Sequence, residues 1–309
     1  MKFWGIEKNF LAIESEYSDF ERSTVAIQSL PYEHTSSYHV GSARGPGAII
    51  SASRFVELYD EELDWEIYRD IGICTLAPYS FRGKKDSDAM QFISKKTLEL
   101  LKKNKFVVSL GAEHTITYGI VRAFQQHLFP NFSILQIDAH SDLRASYQDN
   151  PWSHASVMAR CRELDLPITQ VGIRAQCIEE SLVCKNDPDI HAFYAHQIDD
   201  ENKWVKKVLK TLQPWVYVTI DADGFDPSVI PSVGTPEPNG LSWKHVLRLL
   251  KKVAKEKQII GFDVVEVLPR QSDTLSEYTL AKLVYRLLGY IYSHKIERHI
   301  QKEVSEDSE

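Results

Sequence analysis

Four short apolar or β-branched runs share one layout: each passes at its carboxyl end directly into polar or ionisable residues. Residues 106–111 (FVVSLG) lead to Glu113 and His114, 132–137 (FSILQI) to DAHSD, and 215–220 (WVYVTI) to DADGFDP, while 259–267 (IIGFDVVEV) carry Asp263 and Glu266. Continuous apolar runs of this length predict strands covered on both faces. Two further runs, 168–176 (ITQVGIRAQ) and 70–76 (DIGICTL), bring the expected sheet to at least six strands. Between the runs, SDAMQFISKKTLELLKKN, ITYGIVRAFQQHL and LSWKHVLRLLKKVAKEK space apolar residues three and four apart, the pattern of helices with one buried stripe. Strand and helix in alternation predict an α/β chain with a parallel sheet and helices on both faces, and such sheets bind ligands beyond the carboxyl ends of their strands. The polar ends of the four runs fall where that rule puts a site.

Residues 31–58 read as a Gly- and Pro-rich loop opening onto a helix near Ala48. Without a GxxxxGK pattern, Gly41, Gly45 and Gly47 are turn-makers before they are a phosphate cradle. The 309 residues suffice for a large core and show no break that forces a split, so 1–309 read as one domain with its core over about 30–290. An N-terminal extension and a frayed acidic tail, EVSEDSE, flank that core. Hydrophobic residues at 43% and charged ones at 26% fit a soluble globular protein. A formal charge of -7 without a basic stripe argues against nucleic acid. No stretch of 18 apolar residues argues for a membrane span, and the acidic N-terminus is no secretory leader, so a cytoplasmic location is expected. Cys74, Cys161, Cys177 and Cys184 lack CxxC spacing and read as reduced, mostly buried thiols.

The chemistry gathers at strand ends. In DAHSD, alternation aims Asp138, His140 and Asp142 to one side, and DADGFDP repeats the arrangement with Asp221 and Asp223, while Asp226 reads as a turn residue. Any one of these aspartates could simply cap a helix or close an Asx turn. Four carboxylates and an imidazole from two strand ends would repel unless cations lay among them. His114 adds a second imidazole from a third strand end. Six such ligands exceed what one tetrahedral zinc needs and suit two metal ions bridged by carboxylates. The oxygen-rich, thiol-free set favours Mn2+ over copper, with Zn, Fe or Co equally compatible with the spacing.

GAEHTIT, DAHSD, SHAS, DADGFDPSVIPSVGTPEPNG and GFDVVEVLP, in this order, resemble the ureohydrolase family of arginases and agmatinases over roughly residues 30 to 290. The resemblance implies a three-layer α/β/α sandwich and two Mn2+ ions. One would be held by His114, Asp138, Asp142 and Asp221, the other by His140, Asp138, Asp221 and Asp223, with Asp138 and Asp221 bridging. It further implies a homotrimer or homohexamer.

A cage of four carboxylates, two divalent ions and one hydroxide carries a net negative charge and should attract a small cationic guanidino substrate. Glu266 could accept two parallel hydrogen bonds from the guanidinium, unless it is merely a capping or surface carboxylate. His154 in PWSHASVMAR matches the family's histidine thought to relay protons and touch substrate; otherwise it is a helix N-terminal residue beside Ser153. Asp142 could pass it the nucleophile's proton. The loop LRASYQDNPWSHAS lacks the NLHG-like turn of arginases, and GTPEPNGLSW resembles agmatinases, so agmatine, giving putrescine and urea, is the favoured substrate. Tyr147, Gln148, Glu179 and Glu180 are plausible contacts for the substrate's far end. Guanidinobutyrase, guanidinopropionase, formimidoylglutamase and arginase activities use a similar core, and a catalytically silent relative or a metal deacylase on a related fold stay open.

Overall fold

Among the described residues, strand-forming runs become eight strands: Val25–Leu30 (β1), Ile73–Thr75 (β2), Phe106–Gly111 (β3), Ser133–Ile137 (β4), Ile168–Ile173 (β5), Ile190–Tyr194 (β6), Trp215–Asp221 (β7) and Gln258–Val265 (β8). In the computed structural model they pair in parallel throughout, in the order β2-β1-β3-β8-β7-β4-β5-β6. The structure describes residues 1–127, 131–199, 201 and 203–306, with side chains described as far as Ser293.

Period-two alternation splits each central strand between two apolar layers. Phe106, Val108 and Leu110 of β3 and Val216, Val218 and Ile220 of β7 face one layer. Val107 and Tyr217 face the other. Counting helices longer than four residues, Gly45–Ser53 (α1), Lys203–Thr211 (α6), Trp243–Glu256 (α7) and Leu275–Glu306 (α8) cover the first face through residues such as Ile49, Val208, Leu249 and Leu287. Asp86–Leu101 (α2), Ile116–His127 (α3), Val157–Arg162 (α4) and Ile178–Asn186 (α5) cover the second, through Ile93, Ile120, Met158 and Cys184. The result is the α/β/α sandwich with a parallel sheet. Among the described residues, no helix is long and apolar enough to cross a membrane.

Several boundaries differ from the expectations. β1 and β6 escape the pattern because Gln28 and Ser29 interrupt one, and the other is an edge strand with half-buried residues. Gln28 is tolerated in the core because its amide donates to the hydroxyls of Thr97 and Ser109, both at 2.9 Å. The run 70–76 holds only a three-residue strand, since Tyr68–Ile71 is helical and Gly72, at φ 58°, turns the chain into β2. The run 168–176 stops at Ile173 and 259–267 stops at Val265. The acidic tail is helical as far as Glu306, and residues 307–309 lie outside the described residues. All four cysteines are free, but only Cys74 and Cys161 are fully buried.

Candidate active site

The four motif-bearing strands become the adjacent central strands β3, β8, β7 and β4, so their polar ends converge. Three of the four cage carboxylates are aimed by backbone N–H groups. Asp138 Oδ1 accepts the His140 N–H at 2.6 Å, Asp221 Oδ1 accepts from Asp223 N at 2.9 Å, and Asp223 Oδ1 accepts from Ala139 N at 3.2 Å. Gly224 permits this closeness, because a Cβ there would lie 2.8 Å from Asp138 N. Asp142 and Glu266 both occupy left-handed backbone, at φ 52° and 64°. Such strain in residues with a Cβ persists where surroundings impose it, commonly at functional sites.

Two groups result. His114 Nδ1 lies 3.1 Å from oxygens of Asp138 and of Asp142 and 3.4 Å from one of Asp221. His140 Nδ1 lies 3.0 Å from Asp223 and 3.7 Å from the other oxygen of Asp138. Asp138 thus serves both groups, and each could hold a metal ion. All six residues expected in the cage are brought together. Asp221 Oδ2 faces the His114 group, while its other oxygen takes a backbone N–H.

The tautomer of His114 tests whether cations fit. Thr219 Oγ1 donates to Asp263 Oδ1 at 2.6 Å and therefore accepts from His114 Nε2, 2.8 Å away. In the neutral ring that a metal would bind, Nδ1 is then the lone-pair nitrogen, fully buried, without a hydrogen-bond partner among the described residues and facing three carboxylate oxygens; without a cation, burial opposes a charge on the ring but Asp138, Asp142 and Asp221 outweigh it and raise its pKa well above the usual imidazole value. Lone pairs so arranged repel, and a cation between them turns the repulsion into coordination. Alone, the cluster must keep protons: burial and then Asp138 push Asp142 up to about 7, and burial, Asp223 and Asp138 raise Asp221 well above the carboxylate range. Oxygen and imidazole donors of this kind fit divalent ions of Mn2+ type.

Glu266 and His154 line the same cavity of about 160 Å³ as the cage. Glu266 Oε1 accepts the His114 N–H at 2.7 Å, leaving Oε2 and one lone pair of Oε1 for a ligand. Burial and then the nearby Glu113 carboxylate drive its pKa well up, a perturbation of the kind that gathers at functional sites. His154 opens a short 3-10 turn capped by Ser153. Burial, then the charges of His140 and His114, lower its pKa to about 4.

Of the residues proposed for the substrate's far end, Tyr147 lines the cavity, while Gln148, Glu179 and Glu180 are not among its walls. Glu180 is instead buried, accepting from Leu143 N at 3.0 Å and Cys177 N at 2.8 Å. Sequence reasoning missed Ser36, Ser37, Tyr38, His39, Arg144 and Thr235 as walls. Loop residues carry no periodicity to reveal them. Asp263 could have been found: a charged residue inside a strand buried on both faces needs partners, here Thr117, Tyr217 and Thr219. Of the three glycines, none on the cavity wall, Gly41 makes a turn at φ 131°, Gly45 is a spacer in α1 whose Cβ would meet Val267 O at 2.7 Å, and Gly47 lies within α1 with nothing within 4 Å of a Cβ. Asp226 closes a turn, accepting from Ser228 N and Gly240 N.

Residues 23–289 match the model of the arginase family. An N(1)-aminopropylagmatine ureohydrolase from Synechocystis sp. is 38% identical over 294 residues, covering 94% of this chain and 95% of that protein. A protein of the same name from Thermus thermophilus is 36% identical, with 87% and 91% covered. The agmatine ureohydrolase of Thermoplasma volcanium has a crystal structure that superposes with a TM-score of 0.79 at 28% identity, covering 91% of this chain and 94% of that one.

Proposed function

This chain belongs to the arginase family, and from that premise we propose that it hydrolyses a guanidine with a cationic amine tail, N(1)-aminopropylagmatine in first place, to urea and a polyamine. The observation that carries the reading is one cavity holding the His/Asp cage, Glu266 and His154 together. Two divalent cations in the cage, Mn2+ by preference, would lower the pKa of water enough to supply hydroxide at neutral pH, which a resonance-stabilised guanidinium carbon requires. His114, Asp138, Asp142 and Asp221 would hold one and His140, Asp138, Asp221 and Asp223 the other.

Glu266 would accept guanidinium N–H groups and fix the carbon in place, its own charge balanced by the substrate's. Water adds to that carbon, the C–N bond to the tail breaks, and urea and the amine leave. His154 would protonate the leaving nitrogen, with Asp142 as the carboxylate that returns the proton.

Agmatine is the second reading, supported by the agmatinase-like motifs and by the Thermoplasma volcanium structure. The substrates differ by an aminopropyl arm, so products decide: spermidine and urea from one, putrescine and urea from the other. A urea-release assay with Mn2+ should give the highest kcat/KM on aminopropylagmatine, lower on agmatine, and little on arginine or 4-guanidinobutyrate. No urea from any of them would overturn the proposal. A homotrimer or homohexamer belongs to the same reading and is checked by light scattering.

A further inference from the structure

A carboxylate outside the cage organises the opposite wall of the cavity. Glu113 is completely buried, and its oxygens face the loop that follows β1. Oε1 accepts the backbone N–H of His34 at 2.6 Å, of Thr35, and of Ser36 at 2.7 Å. Oε2 accepts the Thr35 hydroxyl at 2.8 Å. Four donors, three backbone N–H groups and one hydroxyl, leave Glu113 an acceptor at both oxygens.

The consequence passes through Thr35. Its single hydroxyl proton is committed to Glu113, yet the same oxygen lies 3.0 Å from the His154 backbone N and 3.1 Å from His154 Nδ1. It can meet both only as an acceptor. Ser153 Oγ, at 3.4 Å, is the longer contact to that ring nitrogen and accepts the Ala155 N–H. His154 Nδ1 therefore carries a proton, and Nε2, 3.4 Å from Ser37 Oγ, turns its lone pair outward. Tyr147 packs edge-on at 5.9 Å between centroids and fixes the ring plane.

We propose that Glu113 and Thr35 are positioning residues that hold His154 in the Nδ1–H tautomer, with Nε2 presented to the substrate's leaving nitrogen. With Nδ1 already bonded, only Nε2 is free to gain a proton from the reacting system and return it. A reversed ring or tautomer would aim an N–H where a lone pair is needed. Neither residue touches substrate; each acts through the imidazole. The kinetic consequence rests on the proposed hydrolysis, while the tautomer does not.

The test uses the full chain labelled with ¹⁵N-histidine, with His154→Asn identifying the resonances. The wild type should show a protonated Nδ1 and a pyridine-like Nε2 at His154. Thr35→Val keeps the shape and the three backbone donors to Glu113 but removes the hydroxyl. It should lose the single tautomer and lower kcat about 10- to 100-fold with KM within about threefold, and Thr35→Ser should restore both. An Nε2–H tautomer in the wild type, or Thr35→Val with unchanged kcat, would overturn the assignment. If the wild type releases no urea from any guanidine, the hydrolase reading falls and the NMR arm alone decides this one.

Discussion

Thr219 stands 2.8 Å from Nε2 of His114, and because its own proton goes to Asp263 it fixes an N–H at Nε2 and turns Nδ1 to the carboxylates. Replacing Thr219 by Val keeps the shape and removes this control. Divalent cation affinity should fall about 10- to 100-fold, the usual effect of losing a group that orients a metal-binding histidine. Calorimetric titration of metal-free protein with Mn2+ measures it, and an unchanged affinity would remove Thr219 from the account.

Asp138 turns one oxygen to each imidazole group, whereas Asp223 belongs to one. Asp138→Asn should therefore empty the cage of both ions and Asp223→Asn chiefly of one. Elemental analysis after dialysis reads the difference directly. In the parent protein, Mn2+ at about 100 times its dissociation constant should add roughly 2.7 kcal/mol of stability per ion bound over the chelated form, visible as a rise in Tm. Equal metal content in the two variants would contradict the shared role of Asp138.

Glu266 is a half-buried carboxylate on the cavity wall that keeps lone pairs beyond its bond to His114 N. Glu266→Gln retains the acceptor and donor pattern toward His114 N but loses the charge that meets a guanidinium. Removing one partner of a buried charge pair costs roughly 2–5 kcal/mol, or about 30- to 4000-fold in kcat/KM. Metal content should be unaffected. A variant that retains parental kcat/KM would assign guanidinium binding elsewhere.

Acid should loosen the cavity wall at Glu33. Burial works against ionisation of this carboxylate, but the N–H groups of Gly41, Ala43 and Ser42 and the Ser36 hydroxyl together lower its pKa below 4.5. A folded pKa below the unfolded one contributes stability above pH 4.5 that is lost as pH falls through the folded value. Amides of Gly41 to Ala43 should stay protected from hydrogen exchange near neutrality and lose protection in acid, after correction for intrinsic rates. Glu33→Gln, which keeps one acceptor oxygen but cannot titrate, should show weaker protection that no longer changes with pH; pH-independent protection in the parent protein would exclude this clamp.

Legibility followed the range of the interactions. The central strands and the six cage residues could be read because apolar runs ending in Asp and His need only local pattern. β1 was lost because Gln28 is made acceptable by Thr97 and Ser109, 69 and 81 residues away. The same reason hides Thr35 and Glu113, whose pairing across 78 residues leaves no periodic trace. Glu180 misled in the opposite sense: an acidic residue near the substrate loop turned out to brace the backbone of Leu143. Short-range reading finds what a strand end offers, and only the folded sheet shows what faces it.

The convergence of β3, β8, β7 and β4 also bears on how the protein comes to exist. His114 and Glu266 meet across 152 residues, and the strands that carry the cage are adjacent in space but far apart along the chain. Contacts of such long loop closure form late in folding, and a parallel sheet is slow to assemble for that reason. Cations can therefore engage the full cage only after the rate-limiting passage, which makes them brakes on unfolding rather than accelerators of folding. Chelation should shorten the lifetime of the native chain and leave the speed at which it is reached unchanged.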